Sequence, residues 1–405
     1  MKTLIILAWR NIWRNKRRSF ISIASVLFAV LFAISATSFE KGSYGLMIKN
    51  MIKLSTGYIQ IQDVLYEEEP SIDNSMLYDE ALLNIISEFE GEIEYTVPRI
   101  QSFALAATSQ KTRGTMIIGI SPENENRFNN LSENIVKGEF IDDDDEAVIL
   151  AQGVAEILNL DVGDTLVIIG QGFQGVNAAG MYPVKGIVKL SLQELNNNAV
   201  YMPLKAAQWF YAAEDRISSL IIMPENPKHT KKITGELNEK LDKEWYVALT
   251  WEDMMRDFLR MMELDTAGNK VISLILYIVI GFGLFGTILT MMLERIKEFK
   301  ILISIGMKRL QLAVVCMLES LFLSFIGVII GIAVTFPIML YFNLYPIQLK
   351  GEMADMMLDY GFEAVMPTSI SPDIFIFQAI IIFVLALLIG LYPVYKIIRL
   401  EIVNK

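Results

Sequence analysis

Four apolar stretches dominate the chain and constrain what it can fold into. Residues 19–39, 271–293 and 374–395 carry no charged side chain over 21, 23 and 22 positions, and residues 310–349 carry one, Glu319, in 40. A bilayer core takes about 20 apolar residues of helix. Helix is required there because no water satisfies bare backbone groups in hydrocarbon. The chain is therefore read as an integral membrane protein with four transmembrane α-helices, and a purely soluble enzyme is excluded. The first run exceeds the roughly 7–15 residues of a signal-peptide core, and no small-residue cleavage pattern follows, so it is read as a retained span.

Charge orients the spans, since basic residues collect on the cytoplasmic side. Residues 1–18 hold Lys2, Arg10, Arg14, Lys16, Arg17 and Arg18 and no acid. Residues 294–309 hold Arg295, Lys297, Lys300, Lys308 and Arg309 against Glu294 and Glu298, and the tail holds Lys396, Arg399 and Lys405 against Glu401. All three segments are expected in the cytoplasm. Residues 40–270 then lie outside with 20 basic and 37 acidic residues, a net −17. Such a surface favours solubility and disfavours nucleic acid as a partner. The expected order is an amphipathic segment (1–18), span 1 (19–40), a large extracytoplasmic domain with stalks (41–268), span 2 (269–293), a cytoplasmic loop (294–310), span 3 (311–343), a short outer loop (344–372), span 4 (373–395) and a tail (396–405).

The large segment mixes both periodicities, which predicts an α+β domain. Residues 41–55 extend span 1 as a stalk that Gly57 ends, and residues 58–62 alternate as a strand. Asp79 is placed to cap a helix with Leu82, Leu83, Ile85, Ile86 and Phe89 on its apolar face. Strand runs are expected at 103–107, 115–120, 147–150, 165–169, 182–188, 199–202 and 220–223. Short helices are expected at 154–158 and 230–241, and residues 251–264 read as a helix running into span 2. The single cysteine, Cys316, falls in span 3, so the outer domain must hold by its core alone.

Little in the chain suggests catalysis. No phosphate loop of the type G-x-x-x-x-G-K-[ST] occurs, so ATP hydrolysis by this chain is not expected. His229, the one histidine, sits in a basic stretch far from Cys316 in sequence and on the other side of the expected membrane boundary. The acidic run 142–146 lacks the glycine and spacing of a calcium loop and reads as a solvated turn. No cofactor or metal is expected on this chain. Glu319 costs about 2.5–3.5 kcal/mol to insert, on the scale for Asp, unless it is paired or wet. It reads as an interhelical hydrogen-bonding group, with a coupling role as the alternative.

The segment "ERIKEFKILISIGMKRLQLAVVCMLESLFLSFIGVIIGI" (294–332) resembles the ABC-transporter permeases of the FtsX, MacB and LolC/LolE superfamily. Glu294, Arg295, Glu298, Ile301, Leu302, Ile305, Gly306, Gln311, Glu319, Gly327 and Gly331 fall on that pattern. "LAWRNIWRNKRRS", "TGYIQIQ", "IGISPENENRFNNLSENIVKGEFI" and "GLYPVYKIIRLEIVNK" are similar to further family segments, with Tyr58 where histidine is usual and Glu401–Ile402 where Asp-Pro is usual. The resemblance implies a MacB-like periplasmic core domain between helices 1 and 2, and a multi-pass protein of the bacterial inner membrane with both termini cytoplasmic. It implies partners: a dimer of ABC ATPase subunits that carries ATP and Mg, and a second permease copy or paralogue beside the membrane lipid.

For the sites, the resemblance implies that Glu294, Arg295, Glu298, Ile301, Leu302, Ile305 and Gly306 form the coupling loop to the ATPase, with Gly306 ending its helix. In the lipoprotein-releasing branch one permease bears a loop that receives a periplasmic carrier. Residues 170–183, "GQGFQGVNAAGMYP", lie at that place with Phe173 and Gln174 in it, and Phe173 is expected to be exposed; the residues themselves favour an ordinary flexible hairpin over a carrier-binding role. Met47 and Met51, with Met254, Met255, Phe258, Met261 and Met262, form a methionine-rich flank that suits acyl chains or plain juxtamembrane packing. Phe28, Phe32, Phe39 and Leu276 would continue a substrate cavity down the spans. The expected function is extraction of lipoproteins; MacB-like export of peptides, toxins or drugs through an adaptor, FtsX-like signalling to a cell-wall hydrolase, and an independent membrane enzyme are the rivals.

Overall fold

The computed structural model describes residues 1–14, 16–359 and 364–399. The tail residues Glu401, Ile402 and Lys405 and residues 360–363 of the second outer loop lie outside the described residues. Two compact units result. One comprises Met1–Leu46, Met261–Gln348 and Val365–Lys405; the other comprises Met47–Arg260 and Leu349–Ala364.

The membrane unit begins with the helix Lys2–Arg14, which buries Ala8, Asn11 and Ile12, an i, i+3, i+4 stripe. Among the described residues, four helices long and apolar enough to cross a bilayer follow: Lys16–Met51, Arg256–Glu294, Arg309–Leu344 and Pro372–Ile398. At 1.5 Å per residue the first two reach about 54 and 58 Å, against about 30 Å of hydrocarbon, so both continue as stalks. A core of Val26, Val30, Ile34, Leu284, Val328, Phe375 and Ile382 unites the spans. Spans 1 and 3 touch nearly backbone to backbone. A Cβ on Gly327 would stand 2.6 Å from Val26 Cβ, and one on Gly331 would stand 2.9 Å from Val30 Cβ.

The stalk before span 2 differs from the continuous helix expected over 251–264. A one-turn helix, Trp251–Met254, is closed by a capping box between Thr250 and Asp253 and ends at Met255 before the long helix starts. The box satisfies amides that a continuous helix would not leave bare, and Met255 is buried.

The outer unit is α+β. Its strands are β1 (Ile59–Asp63), β2 (Met76–Leu77), β3 (Ile93–Ala107), β4 (Thr112–Ile120), β5 (Ile135–Gly138), β6 (Val148–Ala151), β7 (Thr165–Gln171), β8 (Asn177–Val188), β9 (Ala199–Pro203), β10 (Arg216–Ile217), β11 (Ser219–Pro224) and β12 (Tyr246–Thr250). The main sheet runs β12-β1-β11-β3-β4-β9-β6-β8-β5, with β7 joining β3 and β8. β4–β9 and β6–β8 are parallel and the other pairs of this sheet are antiparallel. Every expected strand run overlaps a strand. The 15-residue β3 belongs to both halves of the sheet, pairing β11 through its first half and β4 and β7 through its second. One core packs Ile59, Ile61, Leu220 and Ile222 against Ile233 and Leu237, and the other gathers Ile117, Ile149, Leu150, Val200 and Tyr211.

The stalk end is tied to this domain. After Met51 the helix widens into a π turn, Ile52–Thr56, which Gly57 ends at φ 65°. Arg99 on β3 donates to the Ser55 carbonyl at 2.9 Å, while its other nitrogens hold the Glu125 carboxylate at 2.5 and 2.9 Å. Asp79 caps the helix Glu80–Ser87, accepting from the Leu82 amide at 2.9 Å. Leu83, expected on that helix's apolar face, is exposed instead, because the buried stripe passes through Leu82 and Phe89.

Candidate functional site

Two features of the membrane unit carry chemistry. The first is a polar knot where the N-terminal helix, the start of span 3 and the connection between spans 2 and 3 meet. That connection forms a helix, Ile296–Ser304, whose last turn is closed by Gly306 at φ 106°, a conformation open to glycine. Its Phe299 is buried with Met292, Leu312 and Cys316, which anchors the helix to the bundle. Ile301 and Ile305, one turn apart, are 59% and 79% exposed and form an apolar ridge on its outside.

At the centre of the knot Glu319 is 2% exposed. Asn11 Nδ2 donates to one of its oxygens at 2.6 Å, and the Arg295 guanidinium donates to the other. Arg295 also holds Glu298 at 3.2 Å, and Arg14 holds Glu298 at 2.7 Å from the N-terminal helix. Partial burial works to raise the Glu298 carboxyl, but hydrogen bonds and charge from Arg295 and Arg14 outweigh it and hold the group below the ordinary carboxylate range. A carboxylate inside a span thus has partners on two other elements, the interhelical arrangement the sequence suggests. Asn11 and Arg14 escape the sequence reading. The signal for Asn11 is a polar residue on the buried stripe of an amphipathic helix.

The second feature is a cavity of about 740 Å³ at the other end of the bundle, between spans 1, 2 and 4. Leu274, Tyr277, Ile374, Phe377 and Ile381 give it apolar walls, while Glu40, Lys41, Lys270 and Asp373 stand around it. Gln378 ties the walls together, donating to Thr37 Oγ1 at 2.8 Å and accepting from Tyr277 at 2.6 Å. Around the rim Lys41 binds Asp373 at 2.5 Å and the Tyr44 hydroxyl donates to Asp265. The arrangement is an apolar chamber with charged side chains at its rim, Lys41 and Asp373 paired among them.

The residues expected to line a substrate path take other places. Phe28 and Phe32 stack at 6.5 Å on the open surface of the bundle, and Phe39 packs on Phe342 of span 3. Met261 is exposed, Met262 and Leu276 are half-buried in the same unit, and the half-buried Met47, Met51 and Phe258 belong to the outer unit. None of the nine lines the cavity. On span 1 the cavity face is Thr37, Lys41 and Tyr44, and Phe39 lies two positions, about 200°, round the helix from Thr37.

Residues 170–183 form a hairpin, the reading their composition favours. β7 and β8 stay paired out to Gln171 and Asn177, so the connection shrinks to a tight turn. Phe173 is half-buried rather than exposed: Arg216 stacks on its ring at 4.4 Å, and its amide donates to the Tyr211 carbonyl at 2.7 Å. Gln174 sits at the exposed tip with φ 54°, its amide donating to Asp73 at 2.6 Å. In the acidic run, Lys185 clamps Asp145 at 2.6 Å and Asp142 at 3.6 Å.

Comparison with known proteins agrees with this architecture. The MacB-like periplasmic core domain profile matches residues 19–240, and the FtsX-like permease C-terminal profile matches residues 270–402. The lipoprotein-releasing system transmembrane protein LolC of Neisseria meningitidis is 22% identical over 79% of this chain and 77% of its own length. An uncharacterized ABC transporter permease of Methanocaldococcus jannaschii is 20% identical over 81% of this chain and 82% of its own length. The periplasmic region of MacB from Actinobacillus actinomycetemcomitans superposes with a TM-score of 0.36 at 14% identity, over 52% of this chain and 96% of that one. With two family domains arranged end to end around four membrane helices, the chain belongs to the FtsX/MacB family of ABC-transporter permeases.

Proposed function

We propose that this permease extracts lipid-anchored proteins from the outer leaflet of the inner membrane, driven by a separate ABC ATPase dimer and completed by a second permease chain. The cavity between spans 1, 2 and 4 carries the reading. Its volume lies in the roughly 300–1,000 Å³ range of small-molecule sites, its walls are apolar, and its rim is charged. That combination suits an acyl chain inside and a polar head at the rim, since each buried methylene contributes about 0.8 kcal/mol. The stacked Phe28 and Phe32, with Met261, Met262 and Leu276, would join the path where the second permease closes it. Phe39, turned toward span 3, would support the wall from behind.

ATP-driven motion enters through the helix Ile296–Ser304. Its ridge of Ile301 and Ile305 would seat in a groove of the ATPase, with Glu294 and Leu302 beside it and Gly306 closing the turn. Glu298 and Arg295 pass the motion to the N-terminal helix and, through Glu319, to span 3. Gln174 at the β7–β8 tip is the point where a periplasmic carrier would touch. A photocrosslinker at Leu274 or Met261, in the complex with its ATPase, is expected to capture a lipoprotein without nucleotide and to lose it on ATP addition. Crosslinks to neighbouring chains alone, unchanged by ATP, would refute lipoprotein extraction.

A further inference from the structure

At about 100° per residue, the N-terminal helix Lys2–Arg14 divides its surface into three arcs. Asn11, Ala8 and Ile12 face the protein and are buried. Ile5, Trp9, Trp13 and Ile6 come next and are exposed, the two indoles by 44% and 55%. Arg10 and Arg14, one turn apart, follow beside Ile6. Trp9 meets Phe322 of span 3 edge to face at 5.7 Å and Trp13 at 6.0 Å, so the apolar arc adjoins the surface of the bundle. The cations divide as well. Arg14 holds Glu298 at 2.7 Å, whereas Lys2, Arg10, Lys16 and Arg17 are exposed and have no ion-pair partner among the described residues. Residues 1–18 contain no acid that could neutralise them.

An apolar arc beside a cationic arc suits a helix lying at the boundary between headgroups and acyl chains. Indole rings settle at that depth. Lys2 falls between Trp9 and Trp13 around the helix, and its long stem lets the ammonium reach the headgroups. The occupant must satisfy both arcs. Nucleic acid would pair with the cations and leave Ile5, Ile6, Trp9 and Trp13 bare. A zwitterionic lipid would cover those four and leave the cations without a counter-charge. An anionic phospholipid does both, and each Lys or Arg near an anionic surface strengthens attachment about fivefold.

The same helix carries two members of the polar knot. Asn11 and Arg14, one and four positions after Arg10, hold Glu319 of span 3 and Glu298 of the connector helix. Whatever fixes this helix at the membrane also fixes the side chains that hold the connector. We propose that the N-terminal helix selects anionic phospholipid headgroups, with Lys2 and Arg10 among its contacts, and that this binding keeps the connector helix Ile296–Ser304 in its coupling position. The second half rests on the reading of that helix as the ATPase contact.

The test uses the full-length protein in phosphatidylcholine nanodiscs that hold a minor fraction of brominated phosphatidylglycerol or, as control, the same fraction of brominated phosphatidylcholine. Bromine quenches nearby indoles, and the share of quenching lost in the double variant Trp9→Phe, Trp13→Phe belongs to this helix. That share is expected to be larger with phosphatidylglycerol. The preference should fall about fivefold for each of Lys2→Gln and Arg10→Gln, and it should shrink in high salt. Equal quenching by the two lipids overturns anionic selection; quenching by neither gives this face to a protein partner and overturns it as well. In the assembled complex, stimulated ATPase activity is expected to be higher with phosphatidylglycerol than in phosphatidylcholine alone, and the double variant Lys2→Gln, Arg10→Gln should lose the difference. A quenching preference with activity indifferent to lipid charge overturns the link to the connector. Undiminished stimulation in Glu298→Lys would instead count against the coupling reading itself, and the quenching preference, measured without nucleotide, stands apart from that result.

Discussion

Replacing Arg295 with methionine tests the polar knot directly. Glu319 is buried, with the Arg295 guanidinium on one oxygen and Asn11 at 2.6 Å on the other. Removing the cation strands a carboxylate at the end of a span, and breaking a buried pair from one side costs about 3–5 kcal/mol. The reverse change, Glu319→Gln, should cost less, because Arg295 keeps Glu298 at 3.2 Å. Its loss is that of a charged hydrogen bond, about 1.5–3 kcal/mol. Combining Arg295→Met with Glu319→Leu removes both charges, and apolar replacement of a buried pair is close to neutral or stabilising. The double variant should therefore be more stable than Arg295→Met alone. Unfolding of these variants and of Glu319→Leu alone in mixed detergent micelles gives the free energies of the cycle, and ATPase stimulation in the assembled complex shows whether restored stability also restores coupling. If the two substitutions add within about 0.5 kcal/mol, they do not interact, and the knot contributes nothing as a unit.

Three further outcomes are expected. Glu298→Lys and Gly306→Pro should each abolish stimulated ATPase activity while leaving the protein inserted, since one reverses the bridge to Arg14 and Arg295 and the other clashes with a φ of 106°; undiminished stimulation in both would remove the connector helix from the coupling path. Arg99→Met should cost the outer domain about 3–5 kcal/mol, because it leaves Glu125 buried and releases the Ser55 carbonyl at the stalk end; a change in melting free energy below about 1 kcal/mol, the size of an exposed pair, would refute this. Asp145 is held below the ordinary carboxylate range by its hydrogen bond from Lys185 and then by the Asp142 amide. Its contribution is thus present above the unfolded carboxylate pKa and lost as pH falls through the depressed folded value. The melting difference between the wild type and Lys185→Met should be flat near neutral pH and shrink in acid; a constant difference down to pH 2 would contradict the linkage.

Spans, stalks and most strands are legible without a structure because each depends on local periodicity. A charge-free run of 21 residues has one stable form in hydrocarbon, and an Asp before an apolar stripe caps a helix wherever it occurs. The misreadings have tertiary causes. The first half of β3 contains Glu94, Arg99 and Pro98, a composition that argues against a strand, but β11 pairs along it and Glu125 neutralises Arg99. Phe173, in a glycine-rich loop, reads as exposed until Arg216, 43 positions away, covers its ring.

The order of spans and domains, the lone carboxylate in span 3 and the connector helix follow from this sequence alone, since hydrophobic length and helical period act between near neighbours. Tertiary structure alone decides which charges meet. Glu319 takes Asn11, 308 positions away, and Arg295, 24 positions away. It also decides which face of span 1 opens into a cavity. Such contacts depend on how helices and strands pack, and packing is set by shape across the whole unit, which no local pattern encodes.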